Sequence, residues 1–474
     1  MNDSSRHIIR LVILSFGMLL LLSAVPWSRL TNNTLKDFDL FEDLFPSEQA
    51  TMNSSIPVDP ELQSLLDEAA SSNTGGEGSG AAADSLRADS VIPDSIRQPE
   101  IIIAEEAPVR DGVVLIENYT GADRSLPVFR LALTEAGSRR VRIAVLGDSY
   151  IEGDIFCQDL RNLLQQRFGG EGVGYMAMFS EFPGFRRSVR QSGSGWELHD
   201  IRNLAARDTL RTLSGCYAKS TGRSRAKFEG TKAFAGTQTW TSSSFVFISP
   251  DSGTVTLTAS DGVPYSFNVG ASPHPQVLSL PGLTSSFTIE SDINRLVGLG
   301  TYLDGSRGIQ LDCMSVRGNS GMGLRSLRKS LTTGVSELSD YDLIILEFGM
   351  NAISPGQTDY TSYGHAMEKA VAKVKECYPK ADIILMGVGD RGSKKGSVVK
   401  SLPAVTAMVQ TQRATAHKCH IHFWDTRAAM GGEDAVVGWR NRKLLNADYI
   451  HLNHAGGAEL AKLFDSALQM AVNE

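Results

Sequence analysis

The stretch from Arg142 to Gly170 constrains this chain more than any other. Arg142-Ile143-Ala144-Val145-Leu146 reads as a short apolar strand that runs directly into Gly147-Asp148-Ser149. A helical pattern follows, with Leu160, Leu163, Leu164 and Phe168 on one face, and Gly169-Gly170 ends it. Strand, tight turn, helix is the opening of a parallel α/β unit. It places Ser149 at the C-terminal edge of a sheet, where open α/β folds bind their ligands.

The rhythm recurs. Strands are expected at Gly308 to Val316, Leu343 to Phe348, Ile383 to Val388 and His420 to Trp424, and helices at Leu126 to Ala136, Ala366 to Cys377 and Ala455 to Val472. Such alternation predicts an α/β domain, a parallel sheet with helices on both faces. Residues 181–304 break the pattern. Phe245 to Ile248, Thr254 to Thr258, Tyr265 to Val269 and Ser286 to Ile289 are short, alternating and rich in Thr and Ser. An Asp261-Gly262 turn joins two of them as a hairpin. This predicts an all-β, sandwich-like module inserted between two parts of the α/β domain, 111–180 and 305–474.

Ahead of the point where order begins, near Val113 to Ile116, the chain changes character. Leu11 to Trp27 is one apolar run, about 17 residues and at the lower limit for a membrane span. Arg6 and Arg10 precede it, which favours a cytoplasmic tail at 1–10 and an extracytoplasmic remainder. A cleaved signal peptide is the rival reading. The poor small-x-small pattern around Ser23-Ala24-Val25-Pro26 favours an uncleaved transmembrane helix in the inner membrane, and so a periplasmic or otherwise extracytoplasmic, anchored head. Residues 28–110 lack sustained periodicity, and Ser71 to Ser90 is rich in Gly, Ser, Ala and Asp, the composition of a disordered, flexible linker.

The net charge of −7, with no basic excess, argues against nucleic acid as a partner. The five cysteines match no zinc spacing. Cys157 and Cys313 read as small buried residues, while Cys377 and Cys419 are candidates for a bridge in an oxidising compartment.

Three short motifs carry the chemistry. Ser149 is the candidate nucleophile, and a serine hydroxyl needs a base within hydrogen-bond reach. Asp448-Tyr449-Ile450-His451 offers that base in His451, with Asp448 to orient its ring; three residues of separation bring both side chains onto one turn. His454 is the nearest decoy. Asn351, in Gly349-Met350-Asn351, can present its amide to a developing oxyanion. Gly318, in Val316-Arg317-Gly318-Asn319-Ser320-Gly321, can bring a backbone N–H close to the same oxygen. Each piece alone is also ordinary turn chemistry. The ordered set is the equipment for acyl transfer through a serine ester, and no metal or organic cofactor is called for.

These blocks resemble the SGNH hydrolases, or GDSL-type esterases, named for a Ser, Gly, Asn and His in four ordered blocks. The resemblance covers residues 111–180 and 305–474. It implies a flavodoxin-like three-layer α/β/α fold and an oxyanion hole made by the Ser149 and Gly318 N–H groups and the Asn351 amide. Ala352 departs from the family pattern, where Asp is frequent, and Val316 stands where Asn is frequent. Gly147 to Asp154, with the helix ending Arg167-Phe168-Gly169-Gly170, further resembles bacterial peptidoglycan O-acetylesterases, in which a β-rich, carbohydrate-binding-like module interrupts the domain at the same place. The resemblance implies an O-acetylated envelope glycan as substrate.

Other readings stay open at this level. An O-acetyltransferase shares the first half-reaction, and a non-catalytic glycan-binding protein shares the fold. Ile151, in place of the last glycine, counts against the Gly-x-Ser-x-Gly nucleophile elbow. His417, Cys419, His420 and His422 cluster in sequence but have no companion ligand group, and read as core or edge residues. Trp196, Trp240, Tyr265 and Phe267 could stack on sugars, though aromatics of a β-sandwich are mostly core.

Overall fold

The computed structural model describes residues 106–201, 210–333, 335–396 and 398–474. The expected tail at 1–10, the membrane segment at 11–27 and nearly all of the linker fall outside the described residues. Among the described residues no helix is long and apolar enough to cross a membrane.

Six strands form the central sheet: β1 (Glu117–Asn118), β2 (Arg140–Gly147), β3 (Gly308–Ser315), β4 (Leu343–Glu347), β5 (Asp382–Met386) and β6 (His422–Trp424). Their spatial order is β3-β2-β4-β5-β6-β1. All neighbours are parallel except β1, which runs antiparallel along the β6 edge and makes the sheet mixed rather than purely parallel. Ile143, Val145, Ile344 and Ile345 are fully buried, as befits strands covered on both faces. The cover comes from α1 (Pro127–Thr134), α2 (Cys157–Phe168), α3 (Thr361–Cys377), α4 (Pro403–Lys418) and α5 (His454–Asn473). The paired helices α2 and α5 meet through Phe156 and Phe464, ring centroids 5.8 Å apart.

Register sets up the site. Gly147, the last residue of β2, lies opposite Ser315 on one side and Glu347 on the other. The three loops leaving these strands carry Ser149, Gly318 and Asn351. They emerge side by side because their strands end level.

The β-rich insertion begins earlier than expected. Gly172–Met176 pairs antiparallel with Val297–Asp304, so residues 172–180 belong with the module. Among the described residues its nine strands form one hydrogen-bonded sheet instead of the two of a simple sandwich. Two halves are linked by a short pairing of Val297 and Gly298 with Lys219 and Ala218. They share a core that includes Phe228, Trp240, Phe245, Phe247, Leu257 and Phe287, all fully buried. The Asp261-Gly262 hairpin is present, with Thr258 opposite Pro264. Of the candidate sugar-stacking residues, Trp196 and Trp240 are buried, Phe267 packs partly buried against the core, and Tyr265 is exposed.

The module leaves and rejoins the α/β domain at adjacent points, where Gly305 N–H donates to the Glu171 carbonyl at 2.9 Å. Two buried ion clusters cross the junction. Arg142 of β2 pairs with Asp304 and with Asp312. Asp154 accepts both guanidinium nitrogens of Arg161 at 2.8 Å, and is met by Arg186 at 3.1 Å and Ser188 at 2.7 Å. Burial alone would raise the Asp154 carboxyl, but these cations hold it below the usual carboxylate range. All five cysteines are free thiols, so Cys377 and Cys419 are not bridged, and Cys157 and Cys313 are buried as expected.

Candidate active site

Ser149 lies just past the C-terminal end of β2, in the turn before α2. Its Oγ is 2.9 Å from His451 Nε2. His451 Nδ1 is 2.7 Å from Asp448 Oδ2. The local backbone makes this compact: Tyr449 takes a left-handed conformation, and Asp448 Oδ1 accepts the N–H groups of Ile450 and His451, both at 3.0 Å. Burial would raise the Asp448 carboxyl, yet the bonds from the His451 ring and the two backbone groups hold it lowered. With Asp448 ionised, Nδ1 carries the ring proton and Nε2 presents a lone pair to the serine. His454 stands apart from this relay. It heads α5, and its Nδ1 is 3.1 Å from the Gln158 amide.

The loop after β3 turns at Gly318, whose φ of 79° is open to glycine and costly for other residues. Among the described residues the backbone N–H groups of Ser149 and Gly318 have no hydrogen-bond partner. Two unpaired donors beside an activated hydroxyl can receive an oxyanion. The Asn351 amide is not free in the same way. It donates to Asp148 Oδ2 at 2.8 Å and to the Asn319 carbonyl at 3.2 Å. The longer bond is the one a substrate oxygen could replace.

Asp148 is the residue the sequence left without a role. It is fully buried and also accepts the Tyr150 N–H at 2.8 Å. Burial pushes its carboxyl up to about 7. Beside it Glu347, at the end of β4, is buried with neither side-chain oxygen hydrogen-bonded among the described residues. Burial, then the charge of Asp148, pushes the Glu347 carboxyl well up. Two carboxyls in one dry space do not both ionise. Asp148, with its two donors, is the one fitted to hold the charge.

The rim is built from both parts of the molecule. Arg317 pairs with Glu152 at 2.6 Å and lies 5.1 Å from the Phe182 ring centroid. The Phe185 ring is 5.9 Å from that of His454. A Cβ on Gly153 would sit 2.0 Å from the Phe185 ring, and its φ is 69°. The Gly153 of the Ser149 motif is therefore explained by an aromatic from the edge of the module, a contact 32 residues away that no local pattern reveals.

The histidine-rich stretch forms no shared centre. His422 is buried in β6, accepts the Leu126 N–H at 3.0 Å and faces the Ile383 carbonyl at 3.3 Å. His417 packs edge-on against Tyr119.

Residues 295–458 match the GDSL-like Lipase/Acylhydrolase family. The matched region holds Gly318, Asn351, Asp448 and His451 and begins after Ser149. Its fold is that of a solved peptidoglycan O-acetylesterase structure, with a TM-score of 0.63 at 22% identity, over 76% of this chain and 99% of that one. A family two carbohydrate esterase from Cellvibrio japonicus also aligns, over 60% of this chain and 98% of that one, at 11% identity and a TM-score of 0.27. No curated protein matches this chain in sequence. The family match supports an esterase enzyme.

Proposed function

We propose that this protein is a serine esterase that removes O-acetyl groups from a cell-envelope glycan, peptidoglycan in the first instance, through an acyl-enzyme. One observation carries the reading: the unbroken relay from Ser149 Oγ through His451 to Asp448, with links of 2.9 and 2.7 Å. Ser149 Oγ attacks the acetyl carbonyl while His451 Nε2 takes its proton, and Asp448 favours the imidazolium that forms. The carbonyl oxygen moves toward the Ser149 and Gly318 N–H groups, with the Asn351 amide turning from the Asn319 carbonyl to join them. His451 then returns the proton to the leaving sugar oxygen. Water, activated by the same imidazole, cleaves the acetyl-serine and leaves acetate.

The glycan part of the proposal draws support from the solved structure whose fold this chain shares, which is described as a peptidoglycan O-acetylesterase. The apolar run Leu11 to Trp27 supports an anchored, extracytoplasmic enzyme. The test is acetate release from O-acetylated peptidoglycan by the purified full-length chain beside its Ser149→Ala variant. Release that vanishes in the variant is expected. Acetyl transfer to an added glycan acceptor, with no free acetate, would replace the esterase by a transferase.

A further inference from the structure

A groove beside the rim carries charge that the chemistry above does not use. Among the described residues four cations, Arg186, Arg187, Arg190 and Lys232, line it, and no acidic side chain does. Arg186 is committed to Asp154. Arg187, Arg190 and Lys232 have no carboxylate within ion-pair distance among the described residues. Glu229, the strand neighbour of Arg190, is taken by Lys227 at 2.8 Å. This concentration of positive charge sits on a chain with a net charge of −7. Asp159 lies in the field of Arg187 and balances part of its charge. A cluster of cations with so little carboxylate around it attracts an anion.

The walls are held in place. Thr231 Oγ1 donates to the Arg187 carbonyl at 2.7 Å, fixing the loop that carries Lys232 against the strand that carries Arg190. The Arg187 guanidinium lies 5.9 Å from the Phe234 ring centroid, within cation–π reach. The groove also adjoins the rim. It shares Pro183 and Arg186 with the cleft bounded by Glu152, Gly153 and Arg317. Phe185, between Arg186 and Gly184 in sequence, packs tilted against the ring of His454, three residues beyond His451.

We propose that this groove is a subsite for carboxylate groups carried by the glycan, so that the substrate is an acetylated glycan bearing carboxylates along its length and not a neutral polysaccharide. The inference rests on the esterase reading and narrows its substrate. Guanidinium forks match carboxylates in a bidentate manner, and Lys232 adds a point charge. Peptidoglycan, with carboxylates on its peptides and on lactyl ethers that carry no peptide, fits; an uncharged acetylated polysaccharide does not.

The test is the binding of soluble peptidoglycan fragments to the full-length Ser149→Ala chain, with and without Arg187→Gln, Arg190→Gln and Lys232→Gln together. The triple change is expected to weaken Kd by roughly tenfold or more and to flatten its salt dependence. An unchanged thermal unfolding midpoint shows that the variant is folded. Fragments whose carboxyls have been amidated are expected to bind the parent chain as weakly as intact fragments bind the variant. Equal affinity with and without the three changes, or equally tight binding of amidated fragments, overturns the proposal. Acetate release by the chain with Ser149 intact reads the esterase assignment separately, so failure of one leaves the other visible.

Discussion

The side-chain amide of Asn351 donates to the carboxylate of Asp148 at 2.8 Å, which ties the candidate oxyanion donor to the residue immediately before the candidate nucleophile. The turn and the donor therefore move as one unit. The strand register beneath them, Gly147 opposite Glu347, makes the tie short.

That unit predicts strong coupling. Asn351→Ala is expected to lower kcat on p-nitrophenyl acetate by roughly 10²–10³, and Asp148→Ala by a similar factor because it releases the amide. The double variant is expected to lie within about threefold of the worse single variant, as for residues that act together. Fully multiplicative losses would show that the two act separately.

Asp448→Asn is expected to reduce kcat by roughly 10³–10⁴, because the amide cannot hold the His451 tautomer that leaves Nε2 free. The unfolding midpoint is expected to change little, since Asp448 lies in a half-buried surface turn. Steady-state kinetics and thermal unfolding of the same preparation check both statements. A loss below tenfold would remove Asp448 from the relay.

Gly153→Ala tests the junction. The new methyl meets the Phe185 ring and occupies a backbone region that L-residues avoid, for an expected cost of about 1–3 kcal/mol. Adding Phe185→Ala is expected to relieve the steric part and leave the backbone part. Chemical denaturation of the two variants separates these contributions.

His422 sets a pH response. Burial lowers its imidazole to about 4, against about 6.5 in the unfolded chain. The folded state therefore binds fewer protons than the unfolded state between these values, and stability falls as the solution is acidified through that window. The full contribution is of the order of 3 kcal/mol, present above pH 6.5 and lost toward pH 4. His422→Asn is expected to be less stable at neutral pH and to show a shallower decline on acidification. Parallel slopes for the two proteins would contradict this assignment.

The central strands and the motif-bearing turns were legible because their signals are local. Leu343 to Glu347 is apolar throughout, and Asp448 and His451 share one turn. The α4 helix was not legible. It buries Val405, Met408 and Val409 but also Gln412 and Arg413, whose partners come from Phe348 and Glu117, far off in sequence. The edge strand β1 was missed for a related reason: two residues, Glu117 and Asn118, carry no periodicity, and only their pairing with β6 makes them a strand. Gly172–Met176 falls within the 111–180 stretch assigned to the α/β domain, because its partner Val297–Asp304 lies more than a hundred residues on. Asp148 and Glu347 were overlooked as a pair because register, not spacing, brings them together.

The bond between Gly305 and Glu171 means that the chain passes in and out of the β-rich module through a single doorway. Covalently, the module is an appendix that a short linker could replace. Electrostatically it is not. Its excision would take Arg186 and Ser188 from Asp154, and Asp304 from Arg142, leaving charges in the α/β domain short of the partners that make their burial tolerable. A shortened enzyme would have to be redesigned at those two residues before its linker mattered, and a foreign module grafted in the same place would have to bring their counter-ions with it.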